Sequence, residues 1–595
     1  MDRRSILKGA LAATALALPV RYEALLARAL VGRRPRTGQP DWPSDADWEQ
    51  LARQVGSRLI RPHSLLKQCA AGGAGCDALF ERLANPYFIR DDPSLTQSLG
   101  WVDAWVSEPS VYAVGAESAH DVAAAVRFAA RHNLRLVVKG GGHSYQGTSN
   151  APDSLLVWTR NLTGIRLHDE FAPHSCPRPE GPAVSLGAGC IWQEAYTAVT
   201  TKGGRYVQGG GCSTVGVAGL VSSGGFGTYS KGFGTAAASL IEAEVVTADG
   251  RIRIVNRCNE PDLLWALKGG GGSTFGVITR LTLRTHPLPA EAGVVNADIR
   301  ASSDEAFARL IELAMDFCRR RLVTPHWGEQ IIFRPRNVMQ IRTEFQGISR
   351  EKASAIWGEF FSAVRSRPDL SLDNVTIVSA PMRKAWDPEF LRTIPDTIRT
   401  DDRPGAPPGN MYWAGDAGQV GQFIHGFASI WLPAGLLADH SRSRLVGALA
   451  KAASLWKVSL HLNKGLAGAT ADVIAATRDT ATNPAVLDAF ALAILGSEEK
   501  PAYPGVPGHE PEVVRGRSEA GRLEAAAAPL RALLKAPASY VSESDFFEQE
   551  WKTAFWGSNY ARLARAKRRY DPSGLFYAHH MVGSEAWASN GFERA

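Results

Sequence analysis

Val138-Lys139-Gly140-Gly141-Gly142-His143-Ser144-Tyr145-Gln146-Gly147-Thr148-Ser149 runs from an apolar strand directly into a glycine turn. The strand covers 134–138. Ahead of it, Ser118-Ala119-His120-Asp121 has the spacing of a capping box. A helix is predicted from there to about His132, with Val122, Val126 and Ala129 on one stripe and Asn133 as the stop. Residues 111–114 are extended, so the segment reads β-α-β. Two further glycine clusters follow. One spans 209–227, GGGCSTVGVAGLVSSGGFG; the other is Lys268-Gly269-Gly270-Gly271-Gly272-Ser273-Thr274-Phe275-Gly276. Strands are predicted at 240–247 and 277–284. Glycine beside a strand lets backbone N–H groups come close to a ligand, and such nests bind anions. Two such turns facing each other suit a pyrophosphate. No G-x-x-x-x-G-K-[ST] is present, and no helical period follows Gly140 to Gly142 as a Rossmann turn requires. The expected ligand therefore carries phosphate and is held by another fold.

Composition narrows the class. Of 595 residues 58 are glycine, 45% are hydrophobic and 21% are charged, so a large core is available and global disorder is excluded. Length allows two large units or about four ordinary ones. The net charge of +7 is mild for this length, and no Lys/Arg run is interleaved with aromatics, which argues against a nucleic-acid partner. No apolar stretch reaches the roughly 20 residues of a membrane span. Beyond residue 290 the glycine clusters end. Candidate strands at 330–333, 339–345 and 423–432 alternate with Ala-rich helices, a second α+β layer. Residues 497–517 read as a linker, 518–535 as a helix, and the tail closes with a basic helix and Tyr570-Asp571-Pro572-Ser573-Gly574-Leu575-Phe576.

Four segments, in order, resemble those of the berberine-bridge-enzyme-like oxidases of the vanillyl-alcohol-oxidase superfamily. They are the opening stretch 138–149, the run 211–227, Asp262-Leu263-Leu264-Trp265-Ala266-Leu267-Lys268 with 269–277, and the tail from Phe555-Trp556-Gly557-Ser558-Asn559-Tyr560 to Phe576. The resemblance implies an α+β fold with a two-part FAD-binding domain and an α+β substrate domain built on an antiparallel sheet. It divides the chain into 1–30 (signal), 31–103 (leader), 104–288 (FAD domain), 289–510 (substrate domain) and 511–595 (a C-terminal segment completing the FAD domain). It implies FAD contacts from Lys139, Gly140, Gly141, Gly142, His143, Ser144, Gly147, Ser149, Gly211, Cys212, Thr214, Gly216, Gly219, Gly224, Gly225, Gly227, Val277 and Asn559. It further implies that FAD is bonded twice, through His143 and Cys212. Taken alone, His143 reads as a turn histidine and Cys212 as a small buried thiol. Two departures stand out: Lys139 where arginine is usual, which cannot make a bidentate fork, and Leu220 where many relatives have histidine.

The implied chemistry is hydride transfer from a small alcohol, sugar or related CH–OH substrate to FAD, with oxygen as the second partner and hydrogen peroxide as product. Val215 falls where the family borders its oxygen path; plain core packing is the other reading. Tyr540, Glu543 and Asp545 sit in a stretch resembling the family's Y-x-N-x-x-D, with Ser542 in place of asparagine. They are the candidate catalytic residues, and Glu329 and His425 are candidates on substrate-domain strands. A dehydrogenase passing electrons to a quinone or cytochrome, a secreted flavin carrier without catalysis, and a cytoplasmic oxidoreductase of an aromatic metabolite remain open. His579-His580 lacks a third ligand at metal-site spacing, so no metal is expected. The chain opens Met1-Asp2-Arg3-Arg4-Ser5-Ile6-Leu7-Lys8, followed by a short apolar run ending at Pro19. This resembles a twin-arginine signal and predicts a periplasmic or secreted enzyme. Cys69 and Cys76 bracket a Gly/Ala loop and suit a disulfide in an oxidising compartment.

Overall fold

The computed structural model describes residues 32–595; the signal-like segment lies outside them. Ser118 and Asp121 make the expected reciprocal cap, Ser118 Oγ accepting from the Asp121 N–H at 3.3 Å and Asp121 Oδ2 from the Ser118 N–H at 3.0 Å. The helix Ala119–Arg131 follows, and Asn133 turns the chain at φ 50°. Strands Tyr112–Gly115 and Arg135–Lys139 both pair in parallel with Ser154–Trp158, and Leu59–Ile60 closes that four-stranded sheet antiparallel. A second, antiparallel sheet runs in the order Ile252–Asn256, Leu240–Val246, Val277–Arg284, Ala183–Gly187, Ile165–His168. The helix lies between these two sheets in one apolar core with Val114, Leu136, Val157, Val245 and Leu281. The tail returns to this core. Lys567, buried beside Asp571 at 2.7 Å, donates to the carbonyls of Thr274 and Phe576, each at 2.6 Å. Trp556 Nε1 donates to Gly269 O at 3.1 Å. The C-terminal helix Tyr560–Tyr570 is thus locked onto the third glycine cluster.

The other half is a nine-stranded sheet. Its order is Leu370–Pro381, Glu291–Ala301, Val338–Gln346, Trp327–Arg334, Val458–His461, Ala489–Glu499, Gln422–Pro433, Ser98–Trp101, Trp105–Val106. Burial alternates along Val338–Gln346, the period-2 pattern of a strand with one covered face. Helices Asp304–Phe317, Arg350–Arg365 and Asp439–Leu455 share that apolar core.

Two expected boundaries fall differently. Strand Ala489–Glu499 and helix Val513–Arg531 take the two ends of the expected linker, leaving a loop of 500–512. That helix packs on the nine-stranded sheet through Leu523, Ala526, Ala527 and Leu530, although its residues belong by sequence to the C-terminal segment. The leader likewise supplies a strand to the same sheet, Ser98–Trp101 in parallel with Gln422–Pro433. Short strands of this kind have too few residues to show a period, and their pairing is entirely non-local. Cys69–Cys76 is bonded, and a second disulfide, Cys176–Cys258, joins residues that no spacing pattern linked.

Candidate active site

The first two glycine clusters meet backbone to backbone. A Cβ on Gly141 would stand 2.6 Å from Gly216 N and 2.8 Å from Thr214 O; one on Gly216 would stand 2.7 Å from Gly141 N. Only glycine fits at either position. Among the described residues, no backbone N–H of 141–147 or 210–216 donates to a protein acceptor. The loops therefore offer a row of free donors along a cleft.

That cleft, about 1480 Å³ of empty space partly open to solvent, lies between the glycine loops and the large sheet. Its walls include Gly140, Gly141, Gly142, His143, Ser144, Ser149, Cys212, Thr214, Val215, Gly216, Gly219, Tyr540 and Glu543 from the sequence expectations. His143 Nε2 and Thr214 Oγ1 are 3.0 Å apart, tying loop to loop. Burial pushes the imidazole down to about 4, so the ring is neutral near pH 7. The Cys212 thiol is free, and burial followed by the nearby Asp416 carboxylate holds it well above the usual thiol range. Leu220 also lines the cleft.

Other expected residues stand behind this surface. Lys139 is a correction: its ammonium is buried and donates to the carbonyls of Asp92, at 2.7 Å, and Leu95, so it braces the loop from beneath and has no reach to a phosphate. Burial lowers it to about 7. Gly147 makes room for the Trp105 ring, Gly225 for Leu220 and Ala236, Gly227 for the Gly209 carbonyl, and Gly224 faces Thr482 and Tyr540. Gly211 accepts from Trp413 Nε1 at 2.9 Å. Val277 is core in its strand, and Asn559 Nδ2 donates to Thr482 O at 2.9 Å. Asp545 is a second correction: it accepts from the Phe547 N–H at 3.1 Å in its own turn and is not part of the cleft wall. His425 is buried between Glu519, 2.8 Å from Nδ1, and Glu499, 3.3 Å from Nε2, away from the cleft. Glu329, at φ 60°, accepts from Asn463 Nδ2 at 3.3 Å and is also outside the cleft lining. His579 and His580 stack on each other, and no cluster of metal-ligating side chains occurs among the described residues. No helix among the described residues is long and apolar enough to cross a membrane.

The far wall carries residues the sequence did not flag. Lys464, following strand Val458–His461, ion-pairs with Glu543 and lies 5.8 Å from the Tyr540 ring centre. Asp416, Tyr145, Gln97 and Gln422 complete the polar lining. Tyr540 meets Phe226 edge-on at 4.9 Å, and burial raises its hydroxyl well above the ordinary phenol range, so it keeps its proton.

A large ligand with an anionic middle suits this cleft. Paired glycine loops offer unsatisfied N–H donors, a neutral imidazole and a free thiol flank them, and Ser213 Oγ and Gln146 Oε1, on lining residues, have no partner. Such a two-part α+β fold with a glycine-walled cleft defines a flavoprotein of the vanillyl-alcohol-oxidase type. A family model described as FAD binding domain matches residues 111–256, and one described as berberine and berberine like matches 539–583. The FAD-linked oxidoreductase malF of Malbranchea aurantiaca is 29% identical over 578 residues, 92% of each chain. The solved VAO-type flavoprotein MtVAO615 of Myceliophthora thermophila C1 superposes with a TM-score of 0.76 at 25% identity, covering 95% of this chain and 100% of that one. A glucooligosaccharide oxidase of Acremonium strictum shares the fold at 17% identity and TM-score 0.62, over 83% of this chain and 95% of that one. The chain is an FAD-dependent oxidoreductase with an FAD binding domain and a berberine-like segment, similar to FAD-linked oxidoreductases and VAO-type flavoproteins.

Proposed function

We propose that this protein is an exported oxidase that holds FAD by two bonds, through His143 and Cys212, and removes hydride from the CH–OH group of an alcohol, a sugar or a related small molecule. The observation that carries this reading is the placement of His143 and Cys212 on two different glycine loops that touch at Gly141 and Gly216 and line one cleft. The glucooligosaccharide oxidase of Acremonium strictum has a 6-S-cysteinyl, 8α-N1-histidyl FAD. At its low identity that protein lends the fold only; the attachment proposed here rests on this chain's own two residues.

Bound FAD supplies the hydride acceptor and, through oxygen, the route to hydrogen peroxide. The glycine loops would give backbone N–H groups to the pyrophosphate, with Ser144 and Ser149 beside them on the lining. Thr214 Oγ1 holds the neutral His143 ring through Nε2. Across the cleft, Tyr540 donates from its protonated hydroxyl and orients a substrate oxygen. Glu543 and Asp416 are the carboxylates that face the cleft and can take the alcohol proton, and Lys464 fixes Glu543 in place. Val215, on the lining beside Thr214, would border the path by which oxygen reaches a bound flavin.

Export is supported by Arg3-Arg4 with the short apolar run and by two disulfides, which persist in oxidising compartments. The test of the reaction is a panel of alcohols and sugars offered to the purified holoprotein, with flavin bleaching followed without oxygen and peroxide counted in air. One peroxide per substrate oxidised is expected. Bleaching without peroxide favours the dehydrogenase, and no bleaching by any member contradicts the oxidase reading. Replacing Arg3 and Arg4 by lysine should retain the protein in the cytoplasm; undiminished export contradicts the signal assignment.

A further inference from the structure

Asp416 sits in the turn Ala414–Gln419, which follows the short strand Met411–Trp413. Both ends of that strand are fixed. The buried Tyr87 hydroxyl donates to Met411 O at 2.7 Å and accepts from the Met411 N–H at 3.0 Å. Trp413 Nε1 donates to Gly211 O at 2.9 Å, one residue before Cys212. The turn is therefore pinned to the second glycine loop. That pinning sets the Asp416 carboxylate beside Cys212, and both groups line the cleft.

A thiol is a poor nucleophile and a thiolate a good one. Burial, Asp416 and Glu543 all hold Cys212 in its protonated form, with Lys464 the one opposing charge. Bond formation at this sulfur thus needs an acceptor for its proton. Glu543 is engaged by Lys464. Asp416 stands on the same lining beside the thiol without such a partner among the ion pairs of the described residues, and burial raises its own affinity for a proton.

We propose that Asp416 is the proton acceptor that activates Cys212 for its bond to the benzenoid ring of FAD, an assignment that rests on the two-bond attachment proposed above. The S–H bond breaks and the proton passes to the Asp416 carboxylate. The sulfur electron pair forms the C–S bond, and the hydrogen of that ring carbon leaves as a proton. The flavin is the oxidant: it gains two electrons, which it then passes to oxygen with two protons to give hydrogen peroxide. Thiol, ring C–H and oxygen become thioether and peroxide, so atoms and electrons balance.

The experiment compares full-length wild type, Asp416→Asn, Asp416→Ser and Asp416→Glu, each purified with its flavin, denatured, alkylated and mapped by peptide mass. In wild type the Cys212 peptide should carry flavin and resist alkylation. In the Asn and Ser variants, flavin should remain on the His143 peptide, which reports a folded site, while flavin on the Cys212 peptide falls at least tenfold. Glu should restore part of the loss, which a purely structural role would not produce. Full attachment at Cys212 in the Asn or Ser variant overturns the assignment. An alkylated Cys212 in wild type overturns the two-bond reading and the role of Asp416 with it, and the two failures are told apart by which protein shows them.

Discussion

The two walls of the cleft are built from different materials. The wall toward the small sheets is main chain: glycines pressed together, free N–H donors and a neutral imidazole. The opposite wall is side chain and charge: Lys464 from a strand end of the large sheet, Asp416 from the turn after Met411–Trp413, and Glu543 and the phenol of Tyr540 from the tail. A backbone wall cannot titrate and barely moves, which suits a permanently held cofactor. A wall of ionisable side chains can accept a proton and be altered residue by residue, which suits the substrate. On this account, changes to the touching glycines of the first wall remove the flavin, and changes to the second leave the flavin in place and slow the chemistry.

The sharpest break of that division is Gly216→Val. Its side chain would enter the Gly141 backbone, which has no rotamer to yield. We expect folded protein with at least tenfold less flavin per chain, read from the ratio of flavin to protein absorbance. Normal flavin content would show that the loops do not hold the cofactor.

Lys464→Met tests the other wall. Removing the ammonium leaves Glu543 facing Tyr540 without its partner, and truncating one member of a largely buried pair costs about 3–5 kcal/mol. Flavin content should be unchanged while anaerobic flavin reduction by substrate slows roughly 100-fold, the range of lost acid–base assistance. Flavin loss in this variant would erase the distinction between the walls.

The smallest effect expected is at Val215, on the cleft lining where the proposed oxygen path would run. Val215→Ile adds one methylene to a packed lining. Reoxidation of reduced flavin by oxygen should slow severalfold, with reduction by substrate nearly unchanged. Equal slowing of both half-reactions in stopped-flow traces, or of neither, removes Val215 from the oxygen path.

The same contrast explains what could be read from the chain. Glycine clusters beside strands announce a backbone-made site locally, because the function and its sequence signal occupy the same ten residues. The capping box at Ser118 and the strands around it were legible for that reason. Asp416 and Lys464 were not, because each lies in an unremarkable turn and is brought to the cleft by contacts distant in sequence, Trp413 with Gly211 for the one and Lys464 with Glu543 for the other. Lys139 and Asp545 mark the opposite error. Both stand inside a motif, but one faces the underside of its loop and the other its own turn, and a side chain's direction there is set by packing that the motif does not encode.

The most direct test of the two-bond cofactor site is release of flavin on denaturation. Wild type precipitated with acid should keep its flavin on the pellet, His143→Ala and Cys212→Ala should each keep it through the remaining bond, and the double variant should shed it into the supernatant. Complete release of flavin from the unmutated protein would contradict the account.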